Sequence, residues 1–102
     1  MIKVAILGYG TVGSGVFQII KENKELITNK AGQEIDIKYV LDLREFPGDP
    51  CENVLVHDYN IILNDPEVEV IIEVMGGLKP SYDFVKSALE AGKSVCTSNK
   101  EL

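Results

Sequence analysis

Residues 8–13 of the chain read Gly8-Tyr9-Gly10-Thr11-Val12-Gly13, a turn with the spacing Gly-x-Gly-x-x-Gly. Residues 2–7, which precede the turn, are apolar except for Lys3, a pattern typical of a strand that is buried on both faces of a parallel sheet. After the turn, apolar residues recur at helical spacing, at Val12, Val16, Ile19 and Ile20. The motif is weak on its own, but here it lies between a predicted strand and a predicted helix, and that context gives it meaning.

In this context each glycine predicts one feature of a dinucleotide site. Gly8 permits a tight turn, Gly10 lets the backbone approach a pyrophosphate, and Gly13 lets the helix pack closely on the strand. The pyrophosphate would be bound by the unpaired N–H groups near Gly10, Thr11 and Val12 at the start of the helix. The structural alternative is a glycine-rich turn that binds nothing.

The rest of the chain predicts further strands and helices in alternation. A second strand runs from Ile35 to Asp42, a third from Val68 to Met75 and a fourth from Ser94 to Thr97. Pro80 begins a second long helix, and Gly92 is placed as its C-terminal cap. This order predicts an α/β fold, a Rossmann-type doubly wound parallel sheet of about four strands with an incomplete second half.

Residues 1–102 are therefore interpreted as one dinucleotide-binding domain, and the chain is expected to be a fragment of a longer dehydrogenase. The segment from Leu43 to Asn60 contains two prolines among charged residues and is predicted to be mostly loop. One short helical turn is predicted at Tyr59 to Leu63.

Composition and charge exclude several classes of protein. The net charge is -6, and the ten basic residues are scattered singly, which argues against a nucleic-acid surface. No segment approaches the roughly 18–20 apolar residues that a membrane span requires. Cys51 and Cys96 have neither a metal-ligand spacing nor a disulfide pattern, so no metal is expected and a reducing cytoplasm fits best. Cys96 is predicted to be a small core residue.

Asp42, at the end of the second strand, is the candidate for hydrogen bonds to the adenosine ribose hydroxyls, which would favour NAD. It lies farther beyond Gly13 than the usual interval of about 20 residues. Arg44 could instead bind a 2′-phosphate, so the pair leaves the choice between NAD and NADP open. A solvated carboxylate at a strand end is the alternative for Asp42.

Three further motifs lie along the chain: Glu73-Val74-Met75-Gly76-Gly77 followed by Pro80, Ala88-Leu89-Glu90-Ala91-Gly92-Lys93, and Thr97-Ser98-Asn99-Lys100. Together with the glycine turn, they resemble the N-terminal half of the homoserine dehydrogenases over the whole chain. The resemblance implies interconversion of aspartate 4-semialdehyde and homoserine with NAD(P)H, in the route to threonine, methionine and isoleucine.

The resemblance also implies roles for individual residues. In the family the loop after the third strand lies along the nicotinamide half of the cofactor, which corresponds to Met75 and Gly76. The lysine of the family's Thr-x-Asn-Lys motif corresponds to Lys100, beside the cofactor and the reacting carbonyl, and Thr97 begins that motif. The family's acid-base aspartate and second lysine belong to a domain that this chain lacks, so the chain alone is expected to be inactive.

The predicted order of the elements also supports a position of Lys100 at the cofactor. Lys100 follows the fourth strand, and the carboxyl ends of strands in an open α/β sheet meet at one crevice. Its ammonium could polarise the aldehyde oxygen, or it could contact the cofactor. An exposed loop lysine is the alternative.

Three other residues have alternative interpretations. Glu73 either pairs with a buried polar partner or lies beside the crevice. His57 is predicted to be a surface loop residue rather than a catalytic one, because the sequence shows no serine, cysteine or carboxylate pattern to partner it. Tyr9 either lies over the cofactor or shields the loop.

Two rival functions stay open. One is the NAD(P)-binding domain of another oxidoreductase, such as the glucose-fructose oxidoreductase group, whose fourth strand leads into Glu-Lys-Pro where this chain has Ser98-Asn99-Lys100. The other is a non-catalytic nucleotide-binding module. The full-length protein is expected to be a homo-oligomer, because enzymes of the resembled family are commonly dimers.

Overall fold

The computed structural model describes residues 2–23, 26, 29–30, 32–75 and 79–97. In chain order its elements are β1 (Ile2–Leu7), α1 (Thr11–Glu22), β2 (Ile35–Leu41), a 3-10 helix (Pro50–Val54), β3 (Leu55–Val56), α2 (Tyr59–Leu63), β4 (Val68–Glu73), α3 (Lys79–Glu90) and β5 (Ser94–Thr97). Within these residues no helix is both long enough and apolar enough to cross a membrane.

In the described part of the chain, five strands form one parallel sheet in the order β3-β2-β1-β4-β5. The chain moves outward from β1 through β2 to β3, and then returns to the other side of β1 to add β4 and β5. The order reverses between β1 and β4, and open α/β sheets bind ligands beyond the carboxyl ends of the strands at such a reversal. The predicted Rossmann-type sheet is confirmed.

The sheet has one strand more than the four that the sequence predicted. Leu55 and Val56 form β3 by pairing with Val40 and Leu41 of β2, inside a segment expected to be mostly loop. Two residues cannot show a periodicity, so only their pairing with β2 reveals them as a strand. The helical turn predicted at Tyr59 to Leu63 is confirmed as α2.

β1 is buried on both faces, as its apolar run predicted. Ala5 and Leu7 contribute to one core cluster, together with residues of α2 and α3. Val4 and Ile6 contribute to the other, together with Phe17 of α1. Successive side chains of a strand point to opposite faces, so helices on both sides are needed to bury them all.

The predicted apolar face of α1 is buried in part. Val16 and Ile20 pack beside the buried Phe17. Val12 and Ile19 are instead 55% and 58% exposed. Apolar spacing alone does not fix how a helix is rotated about its own axis against a sheet.

The prediction that Cys96 is a core residue is wrong, because this side chain is exposed. It lies in β5, which is the last strand of the described sheet on its side. Most of the side chains of β5 are exposed, since a strand in this place has a neighbour on one side only.

Candidate functional site

The turn between β1 and α1 takes its shape from its glycines. Gly8 has a φ of +99°, in the region that favours glycine, and a Cβ there would lie 3.1 Å from the Cα of Met75. A Cβ on Gly13 would overlap the carbonyl oxygen of Gly8. A Cβ on Gly10 would meet no atom within 4 Å. Gly8 and Gly13 therefore keep the turn tight, while Gly10 borders open space.

α1 begins directly at this turn with free backbone donors. Ser14 donates the first helical hydrogen bond, to the carbonyl oxygen of Gly10, so the N–H groups of Thr11, Val12 and Gly13 precede the hydrogen-bonded part of the helix. No side chain caps this end, and the first turn contains no acidic residue. Free N–H groups at the positive end of a helix dipole form a site for an anion.

A cleft of about 480 Å³ opens over the carboxyl ends of β1, β2 and β4, a volume typical of sites for small molecules. It is lined by the glycine turn, the segments after β2 and β4, and aromatic residues of α2 and α3. The lining residues are Gly8, Tyr9, Gly10, Leu41, Asp42, Leu43, Arg44, His57, Tyr59, Val74, Met75 and Phe84. The structure therefore brings Asp42, Arg44 and Met75, three predicted site residues, to one cleft beside the glycine turn.

Asp42 lies at the rim of this cleft with both carboxylate oxygens hydrogen-bonded. Oδ2 accepts the N–H of Tyr9 at 2.9 Å and Nη2 of Arg44 at 2.9 Å. Oδ1 accepts the backbone N–H of Arg44 at 2.9 Å and its Nε at 3.0 Å. The Arg44 guanidinium holds the pKa of the Asp42 carboxyl well below its usual range, and the two backbone N–H groups add to this effect.

Tyr9 joins the glycine turn to the loop that follows β2. Its side chain is buried, and its hydroxyl donates to Oδ1 of Asp49 at 2.6 Å. Its ring packs edge-on against Phe46 and Phe17. Burial and the hydrogen bond to Asp49 raise the pKa of this phenol. Tyr9 thus anchors the loop after β2 and also lines the cleft, an arrangement that neither of the two alternatives described.

His57 lies at the cleft, a position that the sequence did not predict. Nδ1 is 2.6 Å from the carbonyl oxygen of Asp42, and Nε2 is 2.9 Å from Oε1 of Glu45. The contact with the Asp42 carbonyl raises the pKa of His57, and the Glu45 carboxylate raises it further. No sequence pattern links His57 to Asp42, because their proximity depends on the pairing of β3 with β2.

Glu73 ends β4 beneath the other side of the cleft, and its side chain is fully buried. Oε2 accepts the backbone N–H of Met75 at 2.7 Å, and Oε1 accepts the hydroxyl of Thr97 at 2.5 Å. Of the two interpretations left open for Glu73, the structure shows the one with buried polar partners.

Gly76 and Lys100, for which the sequence predicts roles at the cofactor, lie outside the described residues. Among the residues that the structure does describe, no group of three His, Cys, Asp or Glu side chains could hold a metal ion.

Known proteins match the chain along nearly its whole length. A family model described as homoserine dehydrogenase, NAD binding domain, matches residues 8–102. Homoserine dehydrogenase of Bacillus subtilis (strain 168) is 38% identical over 104 residues, which cover 99% of this chain and 24% of the relative.

Two solved structures match the fold closely. The crystal structure of S. aureus homoserine dehydrogenase has a TM-score of 0.88 at 41% identity, covering 99% of this chain and 26% of that one. That of homoserine dehydrogenase from Thiobacillus denitrificans has a TM-score of 0.86 at 35% identity, covering 99% and 24%. The chain spans about a quarter of the length of the curated relatives that it matches.

Proposed function

The chain belongs to the homoserine dehydrogenase family, whose NAD-binding domain it represents, and we propose that its glycine turn holds the pyrophosphate of NAD or NADP. The observation that carries this proposal is the uncapped N-terminus of α1 beside the cleft. Gly10 leaves room for a phosphate to approach, and the N–H groups of Thr11, Val12 and Gly13 supply donors. The net charge of -6 gives no general attraction, so these local donors must meet the charge of the ligand.

The adenosine half of the cofactor is proposed to lie beside Asp42 and Arg44, on the β2 side of the cleft. A ribose hydroxyl can bond to Asp42 only by replacing a donor of Arg44, because both carboxylate oxygens already accept two hydrogen bonds. A 2′-phosphate would draw the guanidinium away from Asp42. Binding of either dinucleotide therefore opens the ion pair between Asp42 and Arg44. The preference for NAD or NADP then depends on whether a ribose hydroxyl at Asp42 or a 2′-phosphate at Arg44 compensates better for the lost pair.

The nicotinamide half is proposed to lie on the β4 side of the cleft, along Met75 and Gly76 and near Thr97. Lys100 is proposed to lie beside the reacting carbonyl, where an ammonium would polarise the oxygen and stabilise an alkoxide. The support for Gly76 and Lys100 is their match to the family's motifs.

The protein to which this domain belongs is proposed to interconvert L-homoserine and L-aspartate 4-semialdehyde. The bound dinucleotide supplies or accepts the hydride, while this chain binds and orients the dinucleotide. The names of the relatives support this reaction. We further propose a cytoplasmic homo-oligomer that acts in threonine, methionine and isoleucine biosynthesis, and the free Cys51 and Cys96 agree with a reducing compartment.

Calorimetric titration of the chain with NADH and NADPH tests the proposed pyrophosphate site. Gly10→Asp places a carboxylate where the phosphates would approach, and we expect it to abolish binding of both dinucleotides. The same change at Gly15, where a Cβ also meets open space, is the matched control and is expected to keep binding.

Far-UV circular dichroism of each variant checks that the fold is intact. A folded native chain that binds neither dinucleotide would contradict the proposal, as would a Gly10→Asp variant that binds like the native chain. The chain alone is expected to bind the dinucleotide without turnover. Measurable oxidation of homoserine by the chain would contradict the proposal that it only binds and orients the dinucleotide.

A further inference from the structure

We propose that Glu73 is a positioning residue that fixes the wall of the cleft against which the nicotinamide half of the dinucleotide rests. The inference depends on the proposed function, because it assumes that a dinucleotide occupies the cleft. Its experimental consequences are nevertheless separate from those of the glycine turn.

The first observation is the burial of a carboxylate at the carboxyl end of the sheet. Glu73 has no exposed surface, although it lies in a central strand where an apolar side chain would fit without a desolvation cost. Each of its oxygens accepts one hydrogen bond from a different part of the chain. Oε2 holds the backbone N–H of Met75, and Oε1 holds the hydroxyl of Thr97. One side chain thus joins the segment after β4 to the end of β5.

The second observation is that this arrangement continues to the glycine turn. Met75 lies against Gly8 so closely that a Cβ on Gly8 would be 3.1 Å from both Cα and Cγ of Met75. The backbone N–H of Val74 donates to the carbonyl oxygen of Leu7 at 3.0 Å, directly before the turn. The position of Met75, which lines the cleft, is therefore fixed by Gly8 on one side and by Glu73 on the other.

The third observation is that Glu73 lies on the side of the sheet over which the nicotinamide half of the ligand would extend. Asp42 and Arg44 follow β2, which lies on one side of β1, and the free end of α1 begins at the turn that follows β1. The part of a dinucleotide beyond its pyrophosphate must then extend over β4 and β5, on the side of the sheet where Glu73 holds Met75 and Thr97. Glu73 itself does not line the cleft, so its effect on the ligand is exerted through these two residues.

Two conservative substitutions of Glu73 separate the positioning role of its side chain from the effect of its charge. Glu73→Gln removes the charge but keeps the length, so its amide oxygen can accept from Met75 while its NH2 donates to the Thr97 hydroxyl. Glu73→Asp keeps the charge but is one methylene shorter, and it cannot reach both donors. Glu69→Asp is the matched control, because Glu69 is an exposed glutamate on the same strand.

The experiment is a titration of the native chain and the three variants with NADH and with ADP-ribose, which lacks the nicotinamide ring. We expect Glu73→Asp to weaken NADH binding about tenfold, the usual effect of one lost hydrogen bond, and to leave ADP-ribose within about twofold of native. Glu73→Gln and Glu69→Asp should bind both ligands like the native chain. Equal losses of NADH and ADP-ribose in Glu73→Asp, or a loss in Glu73→Gln that matches the loss in Glu73→Asp, would overturn the inference.

Amide hydrogen exchange tests the same role without a ligand. The N–H of Met75 should exchange about tenfold faster in Glu73→Asp than in the native chain, and at the native rate in Glu73→Gln. Unchanged exchange in Glu73→Asp would overturn the inference even if dinucleotide binding is found. Failure of the native chain to bind either ligand would instead overturn the proposed function.

Discussion

Asp42 and Arg44 form an ion pair at the cleft. The guanidinium of Arg44 bonds to both oxygens of Asp42 in a forked arrangement, the geometry in which arginine binds carboxylates best. The Asp42 side chain is 10% exposed and that of Arg44 is 63% exposed. Water can therefore hydrate Arg44 when the pair opens, whereas Asp42 stays bonded to the N–H of Tyr9.

This difference leads to a prediction for cofactor preference. Asp42→Ala removes the proposed acceptor for the ribose hydroxyls and leaves the guanidinium of Arg44 available to a 2′-phosphate. We expect NAD binding to weaken about tenfold and NADP binding to weaken less, or to strengthen. Titration of both dinucleotides measures this. Asp36→Ala is the control, because Asp36 lies at the start of the same strand and pairs with Lys3. If NAD and NADP lose affinity equally, Asp42 does not bind the ribose.

At the scale of the element, α1 has two tasks that depend on Gly13. The helix packs against the turn through this glycine, and its free N-terminus borders the cleft. A side chain at Gly13 would overlap the carbonyl oxygen of Gly8, which belongs to the turn itself. The close approach of α1 to the turn and the position of the N–H donors therefore both depend on the absence of a side chain at Gly13.

Gly13→Ala is thus expected to destabilise the chain by about 1–3 kcal/mol, the usual cost of inserting a methyl group into a tightly packed place. It should also weaken dinucleotide binding, since the N–H groups of α1 move with the helix. Thermal unfolding and titration measure the two effects. Gly15→Ala, in the same helix, meets no neighbour and should stabilise the helix by about 0.5–1 kcal/mol. Equal stabilities of the two variants would show that Gly13 is not packed as described.

At the scale of the whole molecule, the sheet has the cleft at its carboxyl end and a separate group of polar contacts near the start of β4. Near the start of β4, the carboxylate of Asp65 pairs with Lys38 at 2.6 Å and accepts the Tyr39 hydroxyl at 2.7 Å. Lys93 donates to the carbonyl oxygens of Asp65 and Val68 at the same place. The contacts of Asp65 join β2 to the segment before β4, and none of these residues lines the cleft.

We therefore expect Asp65→Asn to lower stability without changing dinucleotide binding. The hydrogen bond from Lys38 is the main interaction that lowers the pKa of Asp65 to about 2. A carboxylate with a lowered pKa stabilises the fold fully above its unfolded pKa near 3.9, and this contribution is lost as the pH falls through the folded value. The Tm difference between the native chain and Asp65→Asn should be about 4 °C or more at pH 7.

The same Tm difference should shrink between pH 4 and pH 2. Asp83→Asn, at an exposed helical position, is the control and should show no such dependence. A Tm difference that is constant with pH would contradict the role given to the Asp65 carboxylate.

The sequence alone was sufficient for the features that depend on neighbouring residues. The glycine spacing between an apolar run and a helical pattern predicted the Rossmann-type fold, and the structure confirms it. The motifs at Glu73 to Gly77 and at Thr97 to Lys100 indicated the homoserine dehydrogenases rather than the glucose-fructose oxidoreductase group, and the family match confirms that choice. Local patterns suffice to predict the fold and the family because turns, strand periodicity and family motifs each depend on a short run of residues.

Only the tertiary structure revealed the contacts between distant parts of the chain. No sequence pattern indicated the strand β3, the exposure of Val12 and Ile19, or the contact of His57 with Asp42. For Glu73 the sequence left two interpretations open, and the structure identified the two partners. Each of them depends on which elements become neighbours in the sheet and on how each helix is rotated against it. The sequence thus determined the glycine turn and its place between a strand and a helix, and the packing of the chain decided which side chains surround it.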